Sequence, residues 1–181
     1  MQVSQEKNGR PENHKNSTPA APLLELEREF SVPVSRLFAA FKTPKEIKAW
    51  WWPNGLRTDL AELDFREGGR YFINMKGKVN GTDGGGGMTG EFKEIIEDEL
   101  IVMSDQFADE NGRAISPQEA KMPGIWPEFV YITFDFTSLD ENRSRVKLSQ
   151  EGIPSELQKD CRQGWSEMFN KLENHLGAHK H

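Results

Sequence analysis

Residues 155–177, SELQKDCRQGWSEMFNKLENHLG, decide how the rest of the chain is read. Ser155 with Gln158 three positions on predicts a capping box, in which each side chain satisfies a backbone N–H left open by the first turn. Leu157, Cys161, Trp165, Met168, Phe169, Leu172 and Leu176 then recur at spacings of three and four, so one face of a long helix is apolar. Gly177 is a natural stop. A face of this kind is stable only against a second apolar surface, and the upstream segments read as the sheet that supplies it.

Leu24–Ser31 predicts a strand with Leu24, Leu26, Arg28 and Phe30 on one side and Glu25, Glu27 and Glu29 on the other. Pro33 suits the first position of a helix carrying Val34, Leu37, Phe38 and Phe41. Thr43-Pro44-Lys45-Glu46 predicts a second, short helix carrying Ile47, Trp50 and Trp51, ended by Pro53-Asn54-Gly55. Strand patterns follow at Leu56–Phe65, after Gly68-Gly69, at Met88–Ile96, Leu100–Phe107, Phe129–Thr137 and Arg143–Gln150. Gly81 and Gly84–Gly87 read as a flexible hairpin tip, and residues 108–125 as a long loop that is functional or mobile. The expected fold is α+β: a curved antiparallel sheet of six or seven strands wrapped on the C-terminal helix, with two short helices after the first strand. Residues 23–177 form this single domain, and residues 1–22, polar with three prolines, read as a disordered tail.

Composition narrows the function. The chain has 181 residues, a net charge of −6 and a pI near 5.3, the wrong balance for a protein that chiefly holds nucleic-acid phosphates. No apolar run approaches the ~20 residues needed to span a bilayer, and the start lacks a signal-peptide centre, so the expectation is cytoplasmic. Cys161, the single cysteine, excludes an internal disulfide, and its place on the apolar stripe predicts an inert core thiol. Residues 15–174 contain no histidine, which removes Ser-His-Asp and Cys-His machinery and any His-ligated metal from the body of the domain; no metal or cofactor is expected. Gly84–Gly87 lead into a strand rather than a helix, unlike a phosphate-binding loop.

Phe30-Ser31-Val32-Pro33, Leu37-Phe38, Thr43-Pro44 through Trp50-Trp51, Gly68-Gly69-Arg70-Tyr71, Gly90-Glu91-Phe92 and Gly164-Trp165 occur in that order. Together they resemble the START-like, helix-grip (SRPBCC) superfamily over residues 23–176, and within it the branch named for the activator of heat-shock protein 90 ATPase. The resemblance implies an apolar cavity between helix and sheet that binds sterols, lipids, hormones or polyketides in some relatives. Other relatives are cyclases or dehydratases. The eukaryotic activators make much of their chaperone contact through a second, amino-terminal domain, where this chain has only its polar tail.

Three readings follow. The first is non-enzymatic binding of a small apolar or amphipathic ligand lined by Trp51, Phe72, Met88, Phe92, Phe107, Met122, Trp126, Phe134, Trp165, Met168 and Phe169, with the mouth near the 108–125 loop and the end of the Trp50-Trp51-Trp52 helix and with Met122, Ile125 and Trp126 as part of a lid. The second is a chaperone-interacting module that functions in stress response; the segment Glu91–Glu110, eight acidic residues against one lysine, is its candidate docking face. The third is a cyclase or dehydratase using Glu62, Asp64, Tyr71, Asp105, Tyr131 or Asp135. Asp105, among Val102, Met103 and Phe107, is the best placed of these for a general base, because burial raises a carboxyl pKa toward a useful value. The aromatic stripes also fit plain core packing.

Overall fold

Seven strands form one antiparallel sheet in the computed structural model, which describes residues 23–177. The polar tail expected at residues 1–22 lies outside the described residues. Along the chain run β1 (Leu23–Phe30), α1 (Val34–Ala39), α2 (Pro44–Trp50), β2 (Leu56–Leu63), β3 (Arg70–Val79), β4 (Thr82–Ile96), β5 (Leu100–Ala108), β6 (Val130–Asp140), β7 (Arg143–Glu151) and α3 (Gln158–Gly177). Their spatial order is β1-β7-β6-β5-β4-β3-β2, so every neighbour except the β1–β7 pair is sequential, and the chain between β1 and β2 crosses the sheet with α1 and α2. The sheet curls around α3, and the architecture is the α+β helix-grip expected from the sequence.

The alternation sets the faces. Leu24 and Phe30 of β1 are buried, as are Ile132, Phe134 and Phe136 of β6 and Val146 and Leu148 of β7. Against them α3 buries Trp165, Met168, Phe169, Leu172 and Leu176. The α2 start is capped as read, Thr43 Oγ1 accepting the Glu46 N–H at 3.3 Å. Glu46 itself turns away from the cap to His175 of α3 at 2.6 Å and to Arg36 of α1, tying three helices together.

Four local expectations are corrected. Pro33 is the residue before α1 rather than its first, and Trp51 caps the end of α2 rather than continuing it. Ser155–Leu157 form a single 3-10 turn with no side-chain cap, so the capping box does not form and α3 begins at Gln158. Gly84–Gly87 are not a tip: they belong to β4 and pair with Gly77, Lys76, Met75 and Asn74, while Asn80-Gly81 makes the turn. Close backbone approach explains Gly85 and its neighbour across the ladder Gly77, since a Cβ at Gly85 would strike the Met75 carbonyl and one at Gly77 the Gly55 carbonyl.

Candidate functional site

The grip is filled where α3 meets the sheet. Trp51 lies 5.2 Å from Trp165 between ring centres and 5.9 Å from Phe134, and Phe134 lies 5.7 Å from Trp165. Trp165 continues to Phe169 at 6.2 Å, and Trp50 fits between Trp51 and Phe41. The void lined by Phe41, Ile47, Trp51, Leu63, Ile73, Phe92, Ile101 and Met103 holds about 10 Å³, at the threshold for one water molecule. A ligand of any size enters this interior only by displacing a side chain.

Away from that filled centre the aromatic run reaches the surface. Trp51 Nε1–H lies 3.3 Å from Met88 Sδ; Met88 is the register partner of Phe107; and Phe107 meets Trp126 edge to face at 5.0 Å. Trp126 belongs to the irregular segment 109–129 that joins β5 to β6, and its Nε1–H is held locally by the Pro123 carbonyl at 2.8 Å. Trp126 is therefore the residue of this segment whose ring joins the aromatic run. Ile125, expected in the lid, is 93% exposed, and Met122 sits half-buried in a turn whose N–H bonds to the Pro117 carbonyl at 2.9 Å.

The expected lining divides accordingly. Trp51, Met88, Phe107, Trp126, Phe134, Trp165 and Phe169 form one connected run, with Met168 buried beside Phe169. Phe92 lies deeper, 5.1 Å from Phe65 and 5.7 Å from Tyr71. Phe72 leaves the set: Tyr71 and Ile73 point into the grip, so the two-residue period sends Phe72 to the other face, where its ring backs the turn at Gly112. Phe72, Glu62, Asp64, Arg70, Thr89 and Asn111 line a separate open cleft of about 390 Å³ on that face. Of its charges, Asp64 pairs with Arg66 at 2.8 Å and Arg70 with Glu91 at 4.0 Å.

Polar groups are interleaved with the aromatic run at the mouth. Trp165 Nε1–H donates to Gln150 Oε1 at 2.8 Å. Tyr71 of β3 pairs in register with Gly90 of β4, and the missing side chain lets its ring cross β4 to reach β5. A Cβ at Gly90 would collide with the Ser104 carbonyl. Tyr71 Oη stands 2.8 Å from the Ser104 carbonyl oxygen and 2.8 Å from Asp105 Oδ1. A phenol has one proton to donate, so two pure acceptors leave one unserved. The arrangement closes when Asp105 is protonated and donates to Tyr71 Oη while Tyr71 donates to Ser104.

Electrostatics agrees. By exposed area the Asp105 residue is half-buried, yet dense packing surrounds its carboxyl, and that desolvation pushes its pKa up to about 7 against the opposing hydrogen bonds from Tyr71 and the Gln106 N–H. Burial first, and the Asp105 charge second, hold the Tyr71 phenol well above its ordinary value. Asp105 and Tyr71 were both among the acid–base candidates, but nothing in the sequence said that they meet; Gly90 was the available signal. Of the other candidates, Glu62 and Asp64 line the outer cleft and Tyr131 and Asp135 are exposed. Cys161 is half-buried on α3, and burial raises its thiol pKa, which leaves it unreactive. Among the described residues there is no cluster of side chains able to hold a metal ion, and no helix is long and apolar enough to cross a membrane.

Comparison with known proteins supplies the relatives. The family model described as "Activator of Hsp90 ATPase homolog 1-like protein" matches residues 31–177. A crystal structure of a Chromobacterium violaceum protein shares 24% identity at a TM-score of 0.68, covering 85% of this chain and 96% of that one. The AHSA1 protein from Silicibacter pomeroyi shares 24% at 0.67, covering 87% and 99%. An HSP90 activator from Plasmodium falciparum shares 24% at 0.58, covering 86% and 96%. At these identities the likeness establishes the fold. Among curated proteins none is detectably similar in sequence.

Proposed function

This chain belongs to the activator of Hsp90 ATPase homolog 1-like family, and from that premise we propose that it binds a small amphipathic molecule at the mouth of the grip. The ligand's apolar body takes the place of the Trp126 indole against Phe107 and Met88. The observation that carries this reading is the unbroken aromatic and thioether run from Trp165 through Trp51, Met88 and Phe107 to Trp126, with the Asp105–Tyr71 pair set beside its Phe107 end. A core meant solely for packing has no use for a desolvated carboxyl, which costs stability unless something meets it. The 109–129 segment is the part of the wall best able to move, because it meets β5 through one isolated bridge, single hydrogen bonds and the Trp126 indole rather than through a continuous strand ladder. An uncharged, environment-sensitive dye such as Nile red should bind the folded protein one to one and quench its tryptophan fluorescence. Absence of saturable binding would overturn the proposal.

A second reading, docking on a chaperone, is favoured by Ile125, Phe129 and Tyr131, which are exposed at and just after the 109–129 segment, and by the acidic stretch Glu91–Glu110. Its affinity for a purified Hsp90-type chaperone should fall with added salt, and should fall again when Glu94 and Glu97 are replaced by lysine. Salt-independent binding, or none, removes this reading.

A further inference from the structure

Asp105 is a buried carboxyl without a countercharge. Tyr71 and the Gln106 N–H are the groups that meet it, and among the described residues no Lys, Arg or His pairs with it. The neighbouring strands bring nothing charged, since β4 runs past with Gly90 and β6 places Val130 opposite in register. Phe107 lies two positions on along β5, on the same face, so its ring is roughly 7 Å from the Asp105 side chain. A molecule that replaces Trp126 over Phe107 therefore has its polar end within reach of Asp105.

We infer that the mouth selects a cationic amphiphile, an aliphatic or aromatic amine whose ammonium group pairs with Asp105 while its apolar body lies on Phe107 and Met88. The inference rests on the ligand reading above and names its chemical class. Three features support it. In the resting arrangement Asp105 carries the proton that Tyr71 cannot supply twice, and with only the Gln106 N–H donating to it the carboxyl keeps a lone pair to accept a further donor. An ammonium N–H offers that oxygen a charge-assisted hydrogen bond, roughly twice as strong as a neutral one. The Phe107 ring bordering the site offers a π face to the same cation, which offsets part of its desolvation. The proton balance is simple: the amine enters as ammonium, the carboxyl O–H gives its proton to solvent, and the pair is left as ammonium and carboxylate. Tyr71 keeps its own proton. A carboxylate ligand is excluded by like charge, and an alcohol keeps only a neutral hydrogen bond.

The test is isothermal titration of the full chain with octylammonium, 1-octanol and octanoate at pH 7 in two buffers of different ionisation enthalpy. Octylammonium should bind about tenfold more tightly than octanol, and octanoate most weakly of the three. Octylammonium binding should release about half a proton at pH 7 and approach one at pH 6, and octanol should release none. In Asp105→Asn the preference for ammonium over octanol should shrink below about twofold, with circular dichroism confirming the fold. The proton count on the unmodified chain needs no variant and stands if that substitution fails to fold. Equal binding of octanol and octylammonium, binding without proton release, or a preference that survives Asp105→Asn overturns the amine assignment and leaves the mouth site intact. If none of the three probes binds, the mouth-site reading falls with it.

Discussion

The two ends of the grip use the same kinds of side chain to opposite effect. At the closed end Phe30 meets Phe169 at 6.2 Å, Phe38 and Phe41 meet Phe136 at 5.0 and 5.1 Å, and Leu172 and Leu176 are buried against them without a polar atom among them. At the mouth, Trp126, Phe107 and Met88 are only half-buried, and Asp105 and Tyr71 are set beside them. The difference is one of support. The closed end is held by α3 on one side and by continuous ladders β1–β7–β6 on the other, so its rings have nowhere to go. The mouth is bordered by a segment that meets β5 without a continuous ladder, through the isolated bridge of Ala108 with Ala114, the Ile115 N–H on the Phe107 carbonyl at 2.9 Å and the Gln106 amide on the Glu128 carbonyl at 3.4 Å. Rigid surroundings make aromatic residues core; the proposed site needs the opposite, a movable wall beside buried polar groups.

The largest expected effect breaks the comparison at the closed end. Trp165, 4% exposed, packs on Trp51, Phe134 and Phe169 and keeps its N–H bonded to Gln150. Trp165→Ala should cost about 3 to 5 kcal/mol in denaturant unfolding, since it both empties a large volume and orphans the Gln150 amide. A loss under about 1 kcal/mol would mean that α3 is not anchored there and that the two ends are equally loose.

A smaller effect tests the mouth through pH. Asp105 holds its proton up to about pH 7 when folded, against an ordinary value of 3.8. A carboxyl raised in this way binds a proton in the folded state that the unfolded state has released. Its contribution to stability is therefore greatest at low pH and is lost as pH rises from about 4 through 7. Between pH 5 and pH 8 the protein should lose roughly 2 to 3 kcal/mol from this group, and Asp105→Asn should flatten the slope and raise stability at pH 8. The carboxyls held low by hydrogen bonds or cations, among them Asp140 with Arg143 and Asp109 with the Arg113 N–H, act in the opposite sense below about pH 4 and leave this window clear. A flat profile for the unmodified chain would place Asp105 in water.

How far the two ends were legible follows from the range of the signals. Periodicity is local, and Trp165, Phe169 and Leu172 or Leu24 and Phe30 declared their faces within a few residues. The same two-residue rule, applied to Tyr71, Phe72 and Ile73, sets Phe72 apart from the lining once the register shows which of the two faces is inside. Contacts that cross strands carry no such mark. That Tyr71 reaches over Gly90 to Asp105 depends on pairing across two ladders, and the glycine is the only trace of it in the chain. Gly84–Gly87 read as a tip because glycine is ordinarily a breaker; the close approach of β3 that Gly85 permits is visible only in the folded sheet. The 109–129 segment had no periodicity to read, so its length announced a loop while the one residue that seats it, Trp126, stood undistinguished from Met122 and Ile125.

The smallest expected effect separates the ends most sharply. If the mouth were core like the rest, removing the Trp126 indole would cost as much as removing Trp165. If Trp126 is a plug over Phe107, half-buried and tied to its own segment through Pro123, then Trp126→Ala should cost only about 1 kcal/mol, the lower range for a side chain that keeps much of its surface in water. Binding should move the other way. In the native chain the dye competes with the indole, and its apparent affinity is reduced by the fraction of molecules in which the plug is out. Deleting the plug removes that penalty, so Nile red should bind Trp126→Ala several-fold more tightly, on the order of the roughly threefold to tenfold that 0.7 to 1.4 kcal/mol of released competition allows. Fluorescence titration beside chemical unfolding measures both quantities on one sample. A variant that loses 3 kcal/mol or more and binds dye no better would show that Trp126 is core, that the grip has no mouth, and that the two ends differ only in composition.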